Sequence, residues 1–181
     1  MFKITPLEIA GLCLVESSVH PDNRGLFFEL YKSSSLAKLG FQDFVQDNVS
    51  ISRKNVIRGL HFQSEPHSQG KLVSVLKGSI FDVAVDIRKN SKTYGKYIGV
   101  QLNDVNRKML YVPVGFAHGF CALSDENIVL YKNTKEYSSE HDCGIIWNDP
   151  EIGIVWPCEK PILSEKDLKY PTIADISNSI G

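Results

Sequence analysis

Along most of the chain, apolar and polar positions alternate in short runs rich in β-branched and aromatic residues, each closed by Gly, Asn, Asp, Pro or Lys. Such runs read as strands. "GLCLVESSV" leads into the turn "HPDNRG" and "LFFELY" leaves it, after which "SSSLAKLGF" reads as one short helix capped by serine. Further strands follow at "KLVSVLKG", "SIFDVAVDIR", "KYIGVQLN", "KMLYVPVG", "AHGFCALS" and "NIVLYKNTKEY". They recur about every 10 to 15 residues, the spacing of an all-β barrel or sandwich. Only "PILSEKDLKYPTI" turns irregular or helical. No linker, low-complexity tract or internal repeat interrupts the pattern, so residues 1–181 are expected to form a single domain. A double-sheet jelly roll with a few short helices is the expected architecture, because side chains from several strands converge in the mouth between its sheets.

Composition narrows the class. The chain has 181 residues, 43% of them hydrophobic, and a formal net charge of -1, which argues against nucleic acid or an anionic membrane as the main partner. No run approaches the roughly 18 apolar residues of a membrane span, and the first residues lack a signal-peptide cleavage pattern, so a cytoplasmic protein is expected. Cys13, Cys121, Cys143 and Cys158 contain no C-x-x-C pair and are expected to be free thiols in a reducing compartment.

One stretch does not fit a purely structural strand pattern. "VIRGLHFQSEPHSQGKLVSVLKG", residues 56–78, places Arg58, His61, His67 and Lys71 within what otherwise looks like two strands. These are either surface polar residues or the lining of a pocket for an anion. A second stretch, "VPVGFAHGF", puts Pro113 and Gly115 in a tight turn, with His118 beginning a strand three residues later, and resembles the second motif of cupin barrels. Metal-binding cupins supply a His-x-His pair and a glutamate from the first motif. Here His61 is followed by Phe62 and Gln63, and Lys71 would repel a cation, so no metal is expected.

Taken together, "RGLHFQ", "QGKLVSVLKGSIFDVAVDIRKNSKTYGKY", "YVPVGFAHGF", "YKNTKEY", "WNDPEIGIVWP" and "PILSEKD" resemble, in order, the dTDP-4-dehydrorhamnose 3,5-epimerase family, from about residue 3 to about residue 173. The resemblance implies a metal-free cupin jelly roll, a homodimer, no organic cofactor, and inversion of two carbons of a nucleotide-linked 4-keto-6-deoxyhexose. Such inversion needs a base to remove the proton beside the ketone, a group to hold the enolate oxygen, and an acid on the opposite face. By resemblance His61 is the base, Asp167 its partner, Lys71 the group beside the C4 oxygen and Tyr131 the opposite-face acid. A phenol suits that last task because its reference pKa, near 10, keeps it protonated at neutral pH.

Further contacts are implied in the same way. Arg58 suits a diphosphate, the spacing of three residues from His61 being accommodated if the strand bends at Gly59. Arg24 and Glu29 of "NRGLFFE", Gln46 and Asn48 of "VQDNVS", His118 and Lys166 complete the substrate site, with Tyr137 flanking the sugar or base and some of these residues reaching across the dimer. Where the family carries a glutamate five residues after Tyr137, this chain has Asp142. His20, His67 and His141 read as surface residues. On residue type alone, Asp167 in "SEKDL" reads equally as a helix start, and Arg24 and Glu29 as a turn and an exposed strand. The alternatives left open are an epimerase acting at one carbon or on another nucleotide sugar, and a non-catalytic sugar-nucleotide-binding cupin.

Overall fold

The computed structural model describes residues 2–179. Its strands are Phe2–Pro6 (β1), Cys13–Ser17 (β2), Val19–Asp22 (β3), Gly25–Phe28 (β4), Gln46–Arg53 (β5), Ile57–Gln63 (β6), Lys71–Lys77 (β7), Ser79–Asp86 (β8), Tyr97–Asn103 (β9), Lys108–Val112 (β10), Phe116–Ala122 (β11), Glu126–Asn133 (β12) and Asp142–Gly144 (β13). Two short helices, Ser33–Ala37 (α1) and Ile173–Ser179 (α2), complete the set with one 3-10 turn at Ser139–His141. A six-stranded sheet runs β1-β2-β10-β7-β12-β5 and faces a five-stranded sheet in the order β13-β6-β11-β8-β9. Every pairing within these sheets is antiparallel. The all-β double sheet expected from the strand spacing, of the cupin type that the resemblance implied, is the architecture found.

Period-two alternation explains how the sheets close on one another. Val73, Val75, Ile80, Ala84, Leu102, Leu110, Phe116, Phe120 and Val129 form the core between them. The opposite face of the five-stranded sheet, with Val83, Val85 and Ala117, is covered by Ile145, Ile152 and Ile173 of the C-terminal segment. The outer face of the six-stranded sheet, with Val15, Leu72 and Met109, is covered by Leu36 and Phe41. Strands covered on both faces are buried along most of their length, as β11 is throughout.

Several local expectations change. "HPDNRG" is narrower as a turn, because His20–Asp22 belong to β3, which pairs with β4 in a separate hairpin. The helix α1 has Lys32 at its N-cap with no side-chain hydrogen bond, so no serine caps it. Strand β11 starts at Phe116, which places His118 inside the strand and not at its start. Strands β1, β5 and β13 and helix α2 were not anticipated. All four cysteines are unbridged.

Candidate active site

The inward row of side chains is apolar along most of its length and turns polar toward one end. Directly opposite partners share a face. Tyr131 lies opposite Asn48 and Val73, Asn133 opposite Gln46 and Lys71, and His118 opposite His61 and Ala84. The result is a cleft of about 190 Å³ lined by Asn48, His61, Phe62, Gln63, Gln69, Lys71, Tyr131, Asn133, Tyr137 and Asp142. A larger open depression, about 730 Å³, lies at Lys54, Asn55 and Trp156–Lys160 and gathers no comparable set of acid–base groups.

His61 is held by a residue far away in sequence. Its Nε2 lies 2.6 Å from Oδ1 of Asp167, which is 4% exposed. Burial pushes the Asp167 carboxyl up, but hydrogen bonding and charge from His61, with Ser164 and the Gly59 N–H, more than offset this and leave it below the usual carboxylate range. The Tyr170 ring packs edge-on to the imidazole at 5.7 Å. Strand β6 bends where expected. Gly59 has φ +135°, and a Cβ there would meet the Gly119 Cα at 2.5 Å, so only glycine allows β6 and β11 to approach this closely. The register shifts at that point, between His118 and Phe120, which breaks the simple alternation between Arg58 and His61.

Lys71 stands across the cleft on β7, its ammonium 3.5 Å from the His61 carbonyl. Burial lowers its pKa to about 8 against the attraction of Asp142 and Asp82. Tyr131 on β12 is pushed up by burial and drawn partly back by the Arg58 guanidinium. Arg58 donates to Ser52 Oγ at 3.0 Å and to the Ile51 carbonyl at 3.4 Å, which fixes it against β5.

The cleft rim is a hydrogen-bonded set. Gln46 Nε2 donates to Asn48 Oδ1 at 2.9 Å, and Gln46 Oε1 accepts the Tyr137 N–H at 2.7 Å. Asp142 accepts from the Tyr137 hydroxyl at 2.8 Å and from the Lys166 ammonium. That pairing raises the pKa of both donors. Gln63 ties the same loop down, donating to the carbonyls of His67 and Glu136 and accepting the Ser138 N–H.

Three expected contacts are placed differently. His118 is only 6% exposed and bonds Asp82 at 2.8 Å, below the cleft lining. Among the described residues Arg24, with 86% of its side chain exposed, pairs only with Asp22, and Glu29 pairs with Lys32; neither lines this cleft. His20 is exposed as expected, whereas the partly buried rings of His67 and His141 pack on each other at 4.4 Å. Asp82, Gln63, Gln69 and Asn133 join the site without having been singled out. The signal for Asp82 was its parity with the apolar Ile80 and Ala84 in the same strand. Among the described residues no group of three or more His, Cys, Asp or Glu could hold a metal ion.

Comparison with known proteins fits this geometry. Residues 6–175 match the family model described as dTDP-4-dehydrorhamnose 3,5-epimerase. The protein of that name from Methanothermobacter thermautotrophicus is 49% identical over 178 residues, 96% of each chain. The crystal structure of the dTDP-6-deoxy-D-glucose-3,5-epimerase from Legionella pneumophila, in complex with dTDP-4-keto-L-rhamnose, superposes with a TM-score of 0.95 at 42% identity, covering 99% of this chain and 97% of that one. A 3'-monoepimerase from Streptomyces bikiniensis, in complex with dTDP-quinovose, gives a TM-score of 0.91 at 29% identity, covering 96% and 89%. With a matching family model over most of its length and a relative this similar from end to end, the chain belongs to the dTDP-4-dehydrorhamnose 3,5-epimerase family.

Proposed function

We propose that this chain inverts C3 and C5 of a dTDP-linked 4-keto-6-deoxyhexose, converting dTDP-4-dehydro-6-deoxyglucose to dTDP-4-dehydrorhamnose. The observation that carries this reading is that His61 and Tyr131 face one small cleft from different sheets, with Lys71 also lining it. The C4 ketone acidifies the hydrogens on both flanking carbons, so one base, one enolate-holding cation and one acid serve both centres. His61 takes the proton, and the resulting imidazolium is stabilised by Asp167. Lys71 neutralises the oxyanion as it forms. Tyr131 gives a proton to the other face, and both groups then re-equilibrate with solvent before the second carbon reacts. The reaction is redox-neutral and needs no organic cofactor.

Substrate binding uses the groups around that centre. Arg58 offers a guanidinium fork to the diphosphate. Gln46, Asn48, Tyr137, Asp142 and Lys166 hold the sugar and nucleotide, Asp142 doing so through a shorter arm than a glutamate. His118 contributes from below the lining. Arg24 and Glu29 bind substrate in the site of a second protomer, since both lie on or beside an exposed hairpin away from their own cleft. Phe27, Val49 and Ile51 are 68%, 58% and 67% exposed, an apolar surface suited to that homodimer. The setting is the cytoplasm; no described helix is long and apolar enough to cross a membrane.

Incubation with dTDP-4-keto-6-deoxyglucose in deuterated water, read by NMR, tests the function. Solvent label at both C3 and C5 is expected. Label at one carbon would make the chain a monoepimerase, and label at neither would leave it a binding protein.

A further inference from the structure

Asp82 and His118 form a buried pair in the inward row, between apolar neighbours Ile80, Ala84, Phe116 and Phe120. Asp82 is 0% exposed and bonds His118 Nε2 through Oδ1 at 2.8 Å, while its second oxygen, Oδ2, has no hydrogen-bond partner. Leaving a buried carboxylate oxygen unpaired is costly, and such groups persist where a charge has a task. His118 sits directly opposite His61, and Lys71 lines the same cleft from the other sheet.

We propose that Asp82 is a positioning residue for the reaction: it fixes the His118 ring through Nε2 and supplies the buried negative charge that keeps Lys71 an ammonium while the enolate forms. This rests on the reading of Lys71 as the group beside the C4 oxygen. An ionised carboxylate only accepts hydrogen bonds, so it sets the His118 proton on Nε2 and leaves Nδ1 as the free ring nitrogen. The charge argument follows from the surroundings of Lys71. Burial disfavours its ammonium, and the two carboxylates that draw it back are Asp142 from β13 and Asp82 from β8. Asp142 is shared with the Lys166 ammonium and the Tyr137 hydroxyl, which compensate part of its charge. Asp82 has His118 alone. The other titratable side chains around the cleft are His61 on β6, paired with Asp167, His118 on β11, and Tyr131 on β12, and none of them adds a carboxylate against Lys71.

The sign is fixed. A nearby anion raises a lysine pKa, so Asp82→Asn lowers that of Lys71, and the alkaline limb of the rate profile starts at lower pH. The experiment is the pH dependence of deuterium incorporation at C3 and C5, with kcat and KM, for the wild type and Asp82→Asn. The limb is expected to move down by about one pH unit, so that activity lost near pH 8 is about tenfold greater than that lost near pH 6, with KM little changed. A profile of wild-type shape, however reduced in height, overturns the proposal. His118→Gln keeps the Asp82 charge, and its limb should lie no lower than wild type; a fall equal to that of Asp82→Asn would assign the effect to the imidazole instead. NMR titration of the Lys71 ammonium in the same proteins reads the shift without turnover. A chain that labels neither carbon would defeat the epimerase reading, whereas an unmoved Lys71 midpoint in Asp82→Asn would defeat this one.

Discussion

Asp167 Oδ1 stands 2.6 Å from His61 Nε2 although 106 residues separate them. The strand β6 supplies the imidazole, and the irregular segment before α2 brings the carboxylate to it. Asp167→Asn should keep the shape of this contact but lose the charge that stabilises the imidazolium, so label at C3 and C5 should fall together by about 10²- to 10⁴-fold. Exchange in deuterated water measures it, and a loss of less than about tenfold would remove Asp167 from the reaction.

The same contact sets an acid dependence. The Asp167 carboxyl is held below the usual carboxylate range, so the stability that the pairing contributes is present above the ordinary carboxylate pKa and is lost as pH falls through the lowered one. Urea midpoints measured below pH 4 should therefore fall less steeply with acid in Asp167→Asn than in the wild type. Parallel slopes would contradict the pairing.

Ile51→Asp tests the second protomer. The side chain is exposed at the edge strand β5 and touches no core in one chain, so monomer stability should change by no more than about 1 kcal/mol. Light scattering should find the wild type at twice the 20.3 kDa chain mass and the variant near one. Activity should fall with the dimer, because Arg24 and Glu29 then have no partner's cleft to reach. A wild-type protein that is monomeric and fully active would contradict it.

Exhaustive chelation should leave turnover unchanged, because the first cupin motif lacks its His-x-His pair and the position of Lys71 disfavours a cation. Elemental analysis with about one zinc, iron or manganese per chain, together with loss of activity on its removal, would overturn this.

The legible parts of the sequence were those where pattern and burial agree. "SIFDVAVDIR" and "KLVSVLKG" are apolar on both faces because both are covered, and they became β8 and β7. Strand β5 was missed because its chemistry is inverted: Ser50 and Ser52 point inward and are buried, while Val49 and Ile51 face out. Ser52 is hydrogen-bonded there, Arg58 donating to its Oγ and Asn127 Nδ2 to its carbonyl, whereas the Ser50 hydroxyl is buried without a partner among the described residues. Asp82 was passed over because an acid in a strand reads as a solvent-facing position, although its parity with Ile80 and Ala84 sets it in the inward row. His61, Lys71 and Tyr131 were singled out through motif context; that they line one cleft depends on strands remote in sequence, which no local pattern encodes.

The most direct test compares Tyr131→Phe with His61→Ala in one deuterated reaction. If the two groups work from opposite walls, Tyr131→Phe should still form the enolate and return a deuteron from the His61 side. Recovered substrate would then carry label with retained configuration, while epimerised product falls by about 10²-fold or more. His61→Ala should lose exchange and inversion together. The phenol oxygen contributes no more than about 1 kcal/mol to stability, so the comparison is not confounded by unfolding. A Tyr131→Phe protein that keeps the wild-type ratio of exchange to inversion, or that loses exchange as fully as His61→Ala, would contradict the two-sided mechanism.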